Sequence, residues 1–390
     1  MKSISPRVLV LHNFYRNKYP SGENLVVNSE VDLLKNANIP TKELFAYSDN
    51  IPYKSSVNKL KTGYHDFVWS EYLNKFEQIT TEFKPNILHF HNLSPNFSPR
   101  IIKLAHSKGI KVIQTMHNYR RTCINGLHWL QNENCFRCLD SRWKLPGITH
   151  KCFQDSLFRS SAKVANEILF RNEWLKIDHL IVLTPYMYEH AIKYGYKAEN
   201  ISMRPTWSTE IGFSEIHNTD VLFAGRLESA KGLEILLNAW ESKRTNDSKL
   251  YIAGSGPLAE LVREKSSENP TIDFLGLKQK DEITKLITSV GIIAVPSVWV
   301  EGFPLSIVEA FSAGKPVIIN NRTSHASALN SDVSWITEPT VENWTKTFDS
   351  INLEELTIKG KNAYSLYKSN MTPNAALKSI LNIYHQVLQN

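Results

Sequence analysis

Short apolar runs alternate along this chain with longer stretches whose apolar residues recur at helical spacing. Residues 8–11 form the first run and read as a buried strand. A polar loop with Pro20, Ser21 and Gly22 follows, then Leu25, Val26, Val31, Leu33 and Leu34 trace one face of an amphipathic helix. Further strands are predicted at 87–90, 112–115 and 180–183, with helices over 157–174 and 188–194. Residues 204–219, which contain Pro, Ser and Thr and are poorly periodic, read as a linker. The pattern then restarts with strands at 221–224, 250–253, 272–275, 292–295 and 317–319. Helices are predicted from Leu233, after Pro257, over 281–287, from Leu305 to Ala313 and over 375–387. Strands that alternate with helices in this way predict an α/β protein of two doubly wound, Rossmann-like domains facing a cleft. The expected domains are 1–203 and 220–370, followed by a last helical segment at 371–390.

Composition narrows the classes. The chain has 390 residues, 42% of them hydrophobic, which is enough for two or three buried cores. The formal net charge is +7 at pH 7. A basic surface favours nucleic acid, anionic membrane or anionic substrates without choosing among them. No apolar run approaches the ~18 residues of a membrane span. The apolar run near Met1 is too short for a signal peptide and fits a first strand better. The simplest expectation is a cytoplasmic protein, peripheral on the inner face of the membrane. Residues 51–76 interleave Lys54, Lys59 and Lys61 with Tyr53, Tyr64, Phe67, Trp69 and Tyr72. That pattern suits an anionic membrane surface or an ordinary helical face.

Several constellations carry chemistry. After the strand at 292–295 comes a turn with Gly302, Phe303 and Pro304, then a helix from Leu305. Glu301 precedes that helix and Glu309 falls in its second turn, leaning back toward the loop. Such a pair can accept hydrogen bonds from sugar or ribose hydroxyls, or can be a solvated acid and a capping acid. Arg226 and Lys231 flank the turn between the strand at 221–224 and the next helix, where cations beside a helix N-terminus can clamp a diphosphate. Gly254 and Gly256 form a G-x-G turn, and Gly22 opens another strand-to-helix turn. His89 and His91 are two apart on a strand; with no third ligand nearby they read as cleft-lining or core residues. His117, Arg120 and Arg121 lie just past the strand at 112–115, where open α/β sheets hold ligands. The two arginines suit an acceptor phosphate or a solvated loop.

All four cysteines fall between Cys123 and Cys152, spaced C-x11-C-x2-C-x13-C with Cys135 and Cys138 as the tight pair. Four thiolates could hold a structural zinc; reduced thiols and disulfides are the alternatives.

The stretch from Pro296 to Ile319, with E-G-F-P at Glu301 and E-A-x-x-A-G-K-P-V-I from Glu309, resembles the donor-site signature of retaining glycosyltransferases of the GT-B fold, family 4. G-R-L at Gly225 followed by Lys231-Gly232, and T-x-H-N-Y-R at Thr115, resemble other motifs of that family. The resemblance implies a nucleotide-diphospho sugar on the second domain, a glycan or lipid-linked acceptor on the first, and residues 371–390 packing back on the first domain. It places the diphosphate on Arg226 and Lys231, the ribose on Glu309 and the donor sugar on Glu301. The amides of Gly302 to Leu305 would contact sugar and phosphate, Gly254 and Gly256 would lie near the base, and Gly22 would lie near the phosphate. His117 would face the reaction centre, with His91, Arg120 and Arg121 toward the acceptor. The cations would neutralise the leaving group without a catalytic metal, and no nucleic-acid partner is expected. Polysaccharide assembly at the cell surface is the implied role. A phosphorylase-type or sugar-nucleotide-converting enzyme, or a non-catalytic binding protein, is the rival. Two departures stand out: Ser21 replaces the first glycine of the family's usual pair, and Asn320 to His325 replace its Gly-rich turn.

Overall fold

The computed structural model describes residues 5–15, 21–50, 71–244 and 247–389. Residues 51–70, most of the basic and aromatic stretch at 51–76, lie outside them.

Most of the apolar runs become strands because they are buried on both faces, as at 8–14, 87–90, 179–182, 292–295 and 317–320. β1 (Val8–Phe14), β2 (Thr41–Tyr47), β3 (Ile87–Phe90) and β4 (Lys111–Thr115) belong to the first sheet. A small antiparallel hairpin, β5 (Trp129–Leu130) and β6 (Glu133–Asn134), stands apart from it. β7 (His179–Val182) and β8 (Ile201–Met203) complete the first sheet, which is parallel in the order β2-β1-β3-β4-β7-β8. The second sheet holds β9 (Val221–Ala224), β10 (Leu250–Ala253), β11 (Ile272–Gly276), β12 (Ile292–Val295), β13 (Val317–Asn320) and β14 (Ser334–Thr337). Its order is β11-β10-β9-β12-β13-β14, again parallel.

Both orders reverse direction once. The chain runs outward from β1 to β2, then returns to β3 on the other side. It runs outward from β9 through β11, then returns to β12. Open sheets bind ligands outside the carboxyl ends of the strands at such a reversal. The topology therefore marks the loops after β1 and β3 in one domain and after β9 and β12 in the other.

The predicted 157–174 helix breaks at Phe170 into Leu157–Leu169 and Arg171–Leu175. The expected linker is not loose. Arg204 and Thr206 are buried, Tyr367 donates to the Ser208 carbonyl at 3.0 Å, and Phe213 packs over Gly314. The last helix, Pro373–Gln389, lays Ile380, Ile383, Tyr384 and Val387 into one cluster with Val8, Val10, Val27 and Val31. β1 and the last helix thus share one core.

Candidate functional site

In the second domain, the loops after β9 and β12 touch. Gly232 has φ +69, and a Cβ there would stand 1.9 Å from the Pro296 carbonyl oxygen. That close approach lets Lys231 form an ion pair with Glu301. Ser297 donates to the other Glu301 oxygen at 2.7 Å. Burial alone would raise the Glu301 pKa; the Lys231 ammonium and the Ser297 hydroxyl outweigh it, so the carboxyl sits below its ordinary value. It is therefore an anion at neutral pH, able to accept from sugar hydroxyls.

Arg226, on the same loop as Lys231, is half-exposed and pairs with Glu228 at 2.8 Å. Glu309 sits on the helix Leu305–Ser312, one turn in from Leu305. Burial pushes its pKa up, and Lys280 opposes the shift. The structure thus joins Lys231 to Glu301 directly, while Arg226 and Glu309 have other neighbours. Gly254 and Gly256 back onto the protein: their Cβ positions meet the carbonyl oxygens of Gly225 and Leu227 at 1.9 and 2.4 Å. They hold the β10 loop against the β9 loop. The departure at 320–325 turns inward. His325 is fully buried near Glu301, and burial lowers its pKa to about 4.

In the first domain, the ends of β1, β3 and β4 gather His12, His91 and His117. His91 Nδ1 and His117 Nε2 are 2.9 Å apart. Behind them lies Glu30, fully buried, with His91 Nε2 at 3.3 Å, His89 Nδ1 at 3.2 Å and an ion pair to Arg204. Burial opposes its charge, but Arg204 and His89 hold its pKa well below the carboxylate range. The sequence suggested no third partner for the His89 and His91 pair; Glu30 is that partner. It occupies the apolar stripe of the helix Gly22–Asn36, between Val27 and Val31. A carboxylate at a core position was the overlooked signal. His89 is committed on both nitrogens, to Tyr384 at 2.9 Å and Thr115 at 2.8 Å. Burial holds the His117 pKa far below its ordinary value, so the ring is neutral.

Two acceptor expectations need correction. Arg121 is buried, doubly bonded to Glu167 at 2.8 and 2.7 Å and stacked 3.4 Å over Trp174. A guanidinium so committed holds the loop and leaves the acceptor set. His91 is 3% exposed, behind His117, and orients it. Arg120 remains at the rim. It donates to the Tyr15 hydroxyl at 3.2 Å, and that hydroxyl donates to Glu23 at 3.0 Å.

The two domains meet here. A Cβ on Gly22 would stand 3.4 Å from Leu305, and one on Gly302 would stand 3.2 Å from the His117 carbonyl oxygen. Thr206 donates to the Phe303 carbonyl at 2.9 Å, and Thr184 and Ser324 share a hydrogen bond of 2.6 Å. Lys231, Glu301 and the N-terminus of the helix at Leu305 therefore face the His117 loop across one crevice.

This geometry can be set beside known proteins. Residues 212–382 match the family described as glycosyl transferases group 1. An uncharacterized glycosyltransferase of Methanocaldococcus jannaschii is 31% identical over 120 residues, 30% of each chain. The match spans less than a third of that relative's length. Sucrose-phosphate synthase of Thermosynechococcus elongatus superposes with a TM-score of 0.69 at 14% identity, covering 98% of this chain and 99% of that one. HepE of Anabaena, solved in complex with UDP, gives 0.64 at 14% identity over 96% and 98%. The fold is GT-B.

Proposed function

We propose that the chain is a retaining glycosyltransferase. It moves a sugar from a nucleotide-diphospho sugar to a glycan or lipid-linked acceptor. The reading rests first on the Lys231–Glu301 pair, fixed by Ser297 at the strand-order reversal of the second sheet and facing the His117 loop. Lys231 and Arg226 supply positive charge beside the helix N-terminus at Leu305, where a departing diphosphate gathers negative charge. Since these cations serve the leaving group, the reading includes no catalytic metal. Glu301 accepts from donor hydroxyls, and Glu309 accepts from the ribose.

Neutral His117, held by His91 and Glu30, offers a hydrogen bond to a hydroxyl near the anomeric carbon. The acceptor hydroxyl attacks from the face the diphosphate leaves, so configuration is kept. The similarly folded HepE, solved in complex with UDP, makes a uridine donor the first to try. The net charge of +7 and exposed Trp143, Leu145, Leu157 and Phe158 support an anionic membrane surface and a lipid-linked acceptor, as in assembly of cell-surface polysaccharide. Among the described residues no helix is long and apolar enough to cross a membrane.

The test is release of nucleoside diphosphate from a panel of sugar nucleotides, with membrane extract supplying acceptor. Release that needs both donor and extract supports the reading. Sugar phosphate formed from glycan and inorganic phosphate would favour a phosphorylase instead.

A further inference from the structure

Between β4 and the helix Leu157–Leu169 the chain leaves both sheets. This segment has little regular structure: the β5–β6 hairpin and a five-residue helix, Leu145–Thr149. His128, Gln131, Asn132, Lys144, Lys151, Gln154 and Asp155 within it all have positive φ, a conformation that side chains disfavour. Its own apolar cluster is small: Ile124, Cys138 and Val164 at the centre, with Ile148, Cys152, Phe153 and Ile168 beside them. That cluster is the apolar centre of a segment with many unfavourable backbone angles.

The four cysteines surround one small void at this point. All are free thiols. Cys123, Cys135, Cys138 and Cys152 together line one void of about 10 Å³, with Ile124, Pro146 and His150 on its walls. That is room for about one water-sized particle, too little for an organic ligand. Cys123 and Cys138 are buried and the other two half-buried. We propose that these four side chains bind one zinc ion as thiolates.

The chemistry fits. Cys135-x-x-Cys138 would supply two ligands from one turn, and Cys123 and Cys152, on the wall of the same void, would supply the other two. Four thiolates leave the site negative overall; buried Lys144, whose ammonium lies 3.5 Å from the Cys138 carbonyl oxygen, supplies compensating charge. His150 is held aside, its Nε2 2.8 Å from Arg137.

The zinc would brace the cleft. The segment opens with Asn118 and Arg120 at the crevice, and Asn134 on β6 donates to the Val298 carbonyl of the β12 loop at 3.2 Å. A metal pinning its middle would fix both ends against the two domains. The site does not depend on the transferase reading and is measured apart from it.

The experiment is metal analysis of protein purified without chelator, with a thiol count after denaturation. We expect about one zinc per chain and no disulfide. The C135S/C138S variant should lose the zinc and melt lower, and His150→Ala should keep it. Less than about a tenth of an equivalent of zinc, with none taken up from added zinc chloride, overturns the proposal. So does a paired-cysteine count, or full zinc in C135S/C138S. Zinc loss in His150→Ala overturns the four-thiolate assignment. If C135S/C138S does not fold, zinc content of the wild type and its release on thiol modification decide alone.

Discussion

A carboxylate and an ammonium that pair inside a crevice can be tested one side chain at a time. Lys231→Ala removes the cation from the leaving group and should lower kcat by a factor on the order of 100–1,000, as loss of one preorganised charge does elsewhere. Glu301→Gln keeps the shape and removes the anion; kcat/KM should fall while the melting temperature stays near that of the wild type. Equal activity in both variants would remove them from the chemistry. Glu30 makes a different prediction. Glu30→Ala leaves the Arg204 guanidinium buried without its anion, so stability should drop by about 3–5 kcal/mol, read by denaturant unfolding. Residue by residue, the sequence was uneven. That Lys231 and Glu301 come together was legible because each lies in a motif at a strand end. Glu30 was not, because it hides in an apolar stripe. Arg121 misled, since a loop arginine past a strand end looks like an anion contact until Glu167 and Trp174 are seen around it.

At the scale of elements, the site exists because two loops approach closely at Gly232. Its φ of +69 and the Pro296 oxygen 1.9 Å from a built Cβ leave no room for a side chain. Gly232→Ala should force the β9 and β12 loops apart and separate Lys231 from Glu301. The expected result is a folded protein with weakened donor binding, measured by calorimetry; unchanged binding would mean the loop contact is not what sets the pair. The buried parallel strands could be read from the sequence as continuous apolar runs. β2 and β14 could not. Both lie at sheet edges, and TKELFAY is only half apolar, buried at Leu44 and Ala46 alone. The break at Phe170 also escaped, because both pieces share one helical spacing and only tertiary packing divides them.

For the molecule as a whole, buried histidines set the response to acid. Burial lowers the pKa of His128, His190 and His325 to about 4 from an ordinary 6.5. The unfolded chain takes up protons as pH falls through 6.5, whereas the folded chain does not until about 4. Stability is then full above pH 6.5 and is lost between there and about 4, by up to about 1.4 kcal/mol per pH unit for each site. Melting temperature against pH should bend downward below 6.5; a flat curve to pH 5 would contradict the assignment. The two-domain plan was legible from the alternation of strands and helices. That the last helix shares a core with β1 rested on resemblance alone, for nothing local in its sequence names its partner. The central claim is that one sugar nucleotide sits between Lys231 and Glu301 of one domain and the His117 loop of the other. Thermal shift across UDP-, GDP-, ADP- and dTDP-sugars tests it most directly, in wild type and in Lys231→Ala. The account predicts that at least one donor raises the wild-type melting temperature and that the shift shrinks sharply in the variant. A panel without any shift, or an equal shift in both proteins, would contradict it.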